Sequence, residues 1–224
     1  TTFCEGNSVV LTSSSANGNT WSTNDNTPSI TVTTSGSYGV TVTVMGCSAT
    51  SVPFDVVVNP TPGVPTISTG GSATFCEGDN AVLSSSYATG NQWNTLETTQ
   101  DITVSTAGTY EVVHTDANGC SSPPADISVV VNQNPIAPVI GVGGPQIFCE
   151  GDSVVLSTTY PNGILWSTQE TTNDIAVYTS GSYNVTYTHS NGCSATSIPV
   201  TVIVNPLPNV DGGPDQFICE GDAV

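Results

Sequence analysis

Ser180-Gly181-Ser182-Tyr183, set between Trp166 and Cys193, decides how this chain folds. The pattern occurs twice more, as Ser35-Gly36-Ser37-Tyr38 between Trp21 and Cys47 and as Ala107-Gly108-Thr109-Tyr110 between Trp93 and Cys120. The interval from tryptophan to tyrosine is identical in all three. An equal interval precedes each tryptophan, back to Cys4, Cys76 and Cys149, each within a near copy of Phe-Cys-Glu-Gly-Asp. The second cysteines, Cys47, Cys120 and Cys193, follow their tyrosines at almost constant distance, with the first repeat shorter by a single position. Spacing this regular marks a tandem array, so function is to be sought first in what an array does.

Between these fixed points the chain reads as strands. Ser8-Val9-Val10-Leu11-Thr12, Ile30-Thr31-Val32-Thr33 and Val40-Thr41-Val42-Thr43-Val44 alternate apolar with small polar residues, the period-2 mark of a half-buried strand. Ala81-Val82-Leu83, Val154-Val155-Leu156, Ile102-Thr103-Val104 and Ile175-Ala176-Val177 repeat them. Asn17-Gly18, Asn118-Gly119, Asn162-Gly163 and Asn191-Gly192 supply hairpin turns. No stripe of helical period lasts beyond one turn. About six or seven short strands per repeat, spaced roughly 8–12 residues apart, predict a β-sandwich. The Gly-x-Tyr pattern matches the tyrosine corner at the start of strand F in immunoglobulin-like domains, which puts Tyr38, Tyr110 and Tyr183 there. Trp21, Trp93 and Trp166 then take the core position of strand C. A carbohydrate platform would need them exposed, whereas one tryptophan per repeat within a strand pattern is a core pattern. The fold class is therefore all-β: tandem immunoglobulin-like sandwiches, end to end.

Pro-rich joints divide the array, at Asn59-Pro60-Thr61-Pro62, Asn134-Pro135-Ile136-Ala137-Pro138 and Asn205-Pro206-Leu207-Pro208. They are semi-rigid spacers, short enough that successive domains touch. The boundaries read as 1–60 for repeat one, 61–135 for repeat two, 136–206 for repeat three and 207–224 for the start of a fourth. Repeat one lacks the extended segment that Val64–Ser68 and Ala137–Ile140 give the next two, so its first strand is missing. The chain reads as a section of a longer polypeptide. A subunit whose tail completes a neighbour's first repeat is the rival, and the tail's duplicate Cys-Glu-Gly argues against it.

Lys and Arg are absent against 18 carboxylates and two histidines, giving a net charge of −18. Such a chain cannot neutralise phosphates, which excludes nucleic acid and anionic membrane as partners. Lysine chemistry is excluded too, including Lys–Asn isopeptide crosslinks. Uniform negative charge keeps an extended rod soluble and self-repelling.

Seven cysteines at repeating positions predict disulfides and an oxidising compartment. Zinc fits worse, since Cys-x-x-Cys is absent and His114 and His189 sit at different offsets from their repeat cysteines. Two pairings compete. Within repeats the pairs are Cys4–Cys47, Cys76–Cys120 and Cys149–Cys193. Strand direction favours another set. Strands B and F of an immunoglobulin-like sandwich run the same way, so a cysteine before B and one after F lie at opposite poles. A strand of about seven residues at ~3.3 Å each separates them by ~20 Å, against the roughly 4.4–6.8 Å that a disulfide tolerates between Cα atoms. Staples between neighbours, Cys4–Cys120 and Cys76–Cys193, are favoured, leaving Cys47, Cys149 and Cys219 for other repeats.

Phe148–Leu156, Trp166-Ser167-Thr168, Thr179–Val185, Asn191-Gly192-Cys193-Ser194-Ala195-Thr196-Ser197 and Val204-Asn205-Pro206-Leu207-Pro208 together resemble the immunoglobulin-like repeats of very long secreted and cell-surface proteins of Bacteroidota. Adhesins related to the gliding-motility adhesin, generally exported by the type IX system, are among them. The resemblance covers essentially the whole chain. It implies an extracellular, cell-surface fibre or adhesin stalk.

Other sites carry less. Glu77/Asp79, Glu150/Asp152 and Glu220/Asp222, with Glu5/Asn7 in repeat one, flank a glycine. They read first as tight turns before strand B and second as a Ca²⁺ site at a joint. Asp211-Gly212-Gly213-Pro214-Asp215 is a weaker candidate of the same kind. Asp152-Ser153-Val154 resembles the O-glycan acceptor of Bacteroidota, at Ser153, and Asn184-Val185-Thr186 is an N-linked sequon. No cofactor is called for. Gly-x-Ser-x-Gly, His-Glu-x-x-His and a phosphate loop are all missing, and the two histidines, expected on outward strand faces, are inequivalent. The chain is therefore expected to be no enzyme. The leading function is a tension-bearing stalk or filament segment that displays a distal adhesive region, partnered by neighbouring repeats or identical chains. The alternative is a repeated glycan- or surface-binding module acting by avidity, whose loops would vary, as Asn24–Pro28 and Leu96–Gln100 do.

Overall fold

The computed structural model describes residues 1–211 and residue 213. Branched residues alternating with Thr and Ser suit the pleated backbone, and among the described residues there are strands and no helices. The first repeat comprises Thr2–Cys4 (β1), Val9–Thr12 (β2), Asn19–Trp21 (β3), Ser29–Val32 (β4), Gly36–Tyr38 (β5), Val40–Val44 (β6), Cys47–Thr50 (β7) and Phe54–Asn59 (β8). The second comprises Ile67–Thr69 (β9), Thr74–Cys76 (β10), Ala81–Ser85 (β11), Asn91–Trp93 (β12), Asp101–Val104 (β13), Gly108–His114 (β14) and Ala125–Asn132 (β15). The third comprises Ile140–Val142 (β16), Ile147–Cys149 (β17), Val154–Thr158 (β18), Ile164–Trp166 (β19), Asp174–Val177 (β20), Gly181–Tyr183 (β21), Val185–Thr188 (β22), Ser194–Thr196 (β23) and Val200–Asn205 (β24).

Repeat two is the most regular. One sheet has the order β13-β11-β9 and the other β10-β15-β14-β12. In immunoglobulin lettering β9 and β10 are the halves of strand A, shared between the sheets, and β11 to β15 are B, C, E, F and G. Strands B and E thus oppose C, F and G, which defines the immunoglobulin-like sandwich. In repeats one and three strands F and G each break in two. Ser51 and Ser197 manage the break: their hydroxyls accept from Val40 N and Val185 N at 3.0 and 3.1 Å. The second half of strand A runs parallel to G in both, β1 on β8 and β17 on β24.

Each sandwich has its own core. Leu83, Trp93, Ile102, Tyr110, Val112 and Val129 pack together in repeat two, and Leu156, Trp166, Ile175, Tyr183, Val185 and Val202 in repeat three. Repeat one gathers only Trp21, Ile30, Val32 and Val56 as buried residues. The reason is strand A. β11 and β18 have partners on both edges, whereas β2 has β4 alone. Leu11 of β2 is therefore half-buried, while Leu83 and Leu156 are fully buried. A groove of about 550 Å³, lined by Val9, Leu11, Trp21, Tyr38 and Val52 among others, runs along that open edge. Two compact units divide the chain, residues 1–131 with the first two sandwiches and residues 132 onward with the third.

Candidate functional site

The chemistry of this chain lies at the joint within the first unit, where Cys4 is bonded to Cys120 across a sequence separation of 116, with Cα atoms 5.6 Å apart. Cys4 ends β1, whose parallel pairing with β8 sets Cys4 opposite Asn59. The next residue continues the ladder, Glu5 N donating to Asn59 O at 2.8 Å. The chain then turns sharply: Asn7 N donates to Cys4 O at 3.1 Å, and Gly6 takes a φ of 89°. Only glycine adopts that conformation without strain.

Cys120 sits in the F–G turn of repeat two and is fully buried. Asp116 holds that turn. Its Oδ1 accepts from the backbone N–H groups of Asn118 and Cys120, both at 2.9 Å, and Asp116 N donates to Cys120 O at 2.9 Å. The Cys120 amide, more than any other group, holds the Asp116 carboxyl below the ordinary aspartate range. Repeat three builds the same turn with other atoms. Asn191 Oδ1 accepts from Cys193 N at 3.0 Å, and His189 N donates to Cys193 O at 2.8 Å. Repeat one has a shorter tip, Met45 and Gly46 in left-handed conformations with φ of 52° and 82°, so Cys47 lies at the start of β7 and is exposed.

The pairings within repeats are thereby corrected. Cys4–Cys47 and Cys76–Cys120 cannot form, since Cys4 and Cys120 hold each other. Cys149–Cys193 is absent as well, because Cys149 is unpaired while Cys193 is disulfide-bonded, as is Cys76. The physical cause is polarity. The first cysteine precedes strand B and the second follows F, so they occupy opposite poles of one sandwich. Cys219 lies outside the described residues.

The three tryptophans are core: Trp21, Trp93 and Trp166 retain 5%, 1% and 1% of their exposure, which removes the glycan-platform reading. Each indole N–H donates to a carbonyl further along the chain, Thr27, Thr99 and Thr172, at 2.9–3.0 Å. Tyr38, Tyr110 and Tyr183 form tyrosine corners, donating to Thr34, Thr106 and Thr179 carbonyls at 2.8–2.9 Å. Gly36 and Gly181 lie under the tyrosine rings, where a Cβ would come within 3.2–3.3 Å of ring carbons.

At the Glu-Gly-Asp sites the structure builds tight turns. Asp79 N donates to Cys76 O at 3.0 Å and Asp152 N to Cys149 O at 3.1 Å, around Gly78 and Gly151 at φ of 98° and 102°. Among the described residues no three His, Cys, Asp or Glu side chains gather at Glu77, Asp79, Glu150, Asp152 or elsewhere. Glu220 and Asp222, and part of the Asp211–Asp215 stretch, lie outside the described residues. Ser153 is exposed ahead of β18. The histidines depart from expectation. His114 stacks on Tyr87, ring centroids 3.7 Å apart, with its Nδ1 buried, and His189 sits in a turn rather than on a strand face.

That stack exposes a device that sequence reasoning missed. Tyr87 OH donates to Gly63 O at 3.2 Å, and Tyr160 OH to Ile136 O at 3.0 Å, so each tyrosine ties down the Pro-rich segment leading into its own repeat. Tyr160 stacks on Tyr187 at 3.9 Å as Tyr87 does on His114. Ser15 and Val42 stand at these positions in repeat one. The available signal was a tyrosine at a fixed offset after the strand B leucine in repeats two and three, Leu83 to Tyr87 and Leu156 to Tyr160.

No protein-family model matches the sequence, and no curated protein matches it. Among solved structures, a mouse coronavirus receptor-binding domain complexed with its murine receptor is similar over 63% of this chain and 100% of that one, at 15% identity and a TM-score of 0.32. The human OSCAR ligand-binding domain is similar over 62% of this chain and 98% of that one, at 10% identity and 0.27. The N-terminal eight immunoglobulin domains of Down syndrome cell adhesion molecule are similar over 96% of this chain and 41% of that one, at 14% identity and 0.27. The immunoglobulin-like assignment itself rests on strand order and pairing.

Proposed function

We propose that this chain is a section of a long extracellular bacterial stalk or surface fibre, which bears tension and displays an adhesive region at its far end. The Cys4–Cys120 bond carries the reading. It joins one repeat to the next, so a pull along the chain passes through two sulfur atoms instead of through the whole of the chain between them. An oxidising, extracellular setting suits such bonds. The resemblance to Bacteroidota repeats supports a cell-surface adhesin of the gliding-motility kind, exported by the type IX system. Its partners are neighbouring repeats or identical chains. Its chemistry is passive, with neither catalysis nor a cofactor.

Single-molecule stretching tests the mechanical role. Under oxidising conditions the first unit should release almost none of the length held between Cys4 and Cys120. After reduction it should release about 400 Å more, at ~3.5 Å per residue over the separation of 116. Equal extension in both states would sink the stalk reading. The alternative, weak binding of glycans or surfaces at every repeat with avidity from repetition, is favoured by the exposed C–E loops. Asn24, Leu96 and Gln169 occupy one left-handed backbone position there and differ in chemistry. Retention of the chain on a glycan array, lost when these three positions are changed together, would select it.

A further inference from the structure

We infer that Asn17 and Asn162 are self-modification sites, where the side-chain amide is lost as ammonia and the chain gains a carboxylate. The other two Asn-Gly pairs, at Asn118 and Asn191, are protected by the F–G turns that hold them.

The four pairs are alike in sequence and all are exposed. Hydrogen bonding separates them. In the F–G turn of repeat two, Asn118 Nδ2 donates to Asp116 Oδ2 at 3.2 Å, and Gly119 N donates to Asp116 O at 3.0 Å. In repeat three, Asn191 Oδ1 accepts from Cys193 N at 3.0 Å, and Gly192 N donates to His189 O at 2.9 Å. Both reacting groups, the asparagine amide and the glycine N–H, are therefore tied at these two sites. In the B–C turns of repeats one and three neither group is tied. The side chains of Asn17 and Asn162, and the N–H groups of Gly18 and Gly163, have no hydrogen-bond partner among the described residues. Repeat two carries Thr89 ahead of Gly90 at the equivalent position and so has no such site.

The reaction needs only water. The glycine nitrogen, which no neighbouring Cβ shields, attacks Cγ of the preceding asparagine. A C–N bond forms, the Cγ–Nδ2 bond breaks, and the proton from the glycine nitrogen leaves with the amide nitrogen as ammonia. Water then opens the cyclic imide at either carbonyl. One opening yields aspartate, the other isoaspartate, whose main chain runs through the former side-chain methylene. Each event makes the net charge of −18 more negative by one unit.

The turn cannot absorb the longer backbone. Gly18 O accepts from Thr43 N at 2.9 Å and Gly163 O from Thr188 N at 2.7 Å. A Cβ on either glycine would already lie 2.3 or 2.6 Å from the Thr43 or Thr188 carbonyl oxygen. An added carbon in the main chain breaks this contact, so isoaspartate loosens the B–C turn from strand F in repeats one and three.

The test holds the full chain, disulfides intact, in mildly alkaline buffer. Each asparagine is followed by mass spectrometry of chymotryptic peptides, and isoaspartate is counted with an isoaspartyl methyltransferase and a labelled methyl donor. Each site's rate is divided by its own rate in the reduced, urea-unfolded chain, which cancels the effect of local sequence. Asn17 and Asn162 should keep nearly all of the unfolded rate, while Asn118 and Asn191 should be slowed several-fold. Thr89→Asn should create a further fast site in repeat two. After modification, hydrogen exchange at the Thr43 and Thr188 amides should quicken several-fold. The Thr115 amide, which donates to Gly90 O at 2.8 Å in repeat two, should be unchanged. The inference is overturned if Asn118 and Asn191 react as fast as Asn17 and Asn162, or if folding slows all four alike. It is also overturned if the Thr89→Asn chain, shown folded by its tryptophan fluorescence, does not react at that position. Unchanged exchange at Thr43 and Thr188 in the modified chain would overturn the loosening.

Discussion

Trp93 combines almost complete burial with a satisfied polar atom, its indole N–H reaching the Thr99 carbonyl at 3.0 Å. Replacement by alanine removes the largest side chain of the core of repeat two and leaves that carbonyl without its donor. Trp93→Ala should therefore cost about 3–5 kcal/mol, read from urea unfolding of the chain. In the turn that follows, Leu96 is strained instead of supported. It lies in a left-handed conformation, φ 77°, with its side chain in solvent. The left-handed region costs a residue with a Cβ about 1–2 kcal/mol, part of which glycine returns through its floppier unfolded state. Leu96→Gly should raise stability by about 0.5–1 kcal/mol, and a lowered urea midpoint would refute the strain. Sequence alone located the tryptophans, because the constant Cys–Trp–Tyr rhythm survives any loop chemistry. It could not locate Leu96, because nothing in a leucine codes for positive φ.

Strands and turns show what the missing half of strand A costs. Leu83 and Leu156 are sealed by β9 and β16, while Leu11 borders a groove. Leu83→Ala should cost about 2.7–5 kcal/mol, and Leu11→Ala clearly less. Equal losses in urea unfolding would mean that the open edge is closed in solution. The Asp116 turn adds a pH response. Its carboxyl titrates below the ordinary value of 3.8, chiefly because it accepts from the Cys120 amide. The turn's extra stability is thus complete above that value and is lost as pH falls through the lower, folded one. An NMR titration should place the Asp116 midpoint below those of the exposed aspartates, and Asp116→Asn should keep the turn and abolish its acid response. Turn glycines and strand alternation were legible in the sequence, as was the tyrosine corner. The linker clamps of Tyr87 and Tyr160 were not, because each rests on a stacking partner, His114 or Tyr187, that comes from a distant strand.

Across the whole chain, composition sets behaviour more than any site does. Without Lys or Arg, trypsin should leave both the native and the denatured chain intact on a mass spectrum. Any internal cut would contradict the sequence itself. The polarity of the sandwich also explains why strand direction outweighed sequence proximity in deciding the cysteine pairs. Cys47 is the nearer partner for Cys4 along the chain, yet Cys4 bonds to Cys120 because the F–G turn of the following repeat lies at its own pole. That bond has a consequence for damage. Cutting any one peptide bond between Glu5 and Gly119 leaves the two pieces tethered through sulfur, so a single proteolytic nick neither frees a fragment nor parts the strand. On a gel such a molecule would keep its full mass until a reductant is added, and then fall into two. Continuity of the polymer is held twice over along this stretch, and its failure needs two separate injuries.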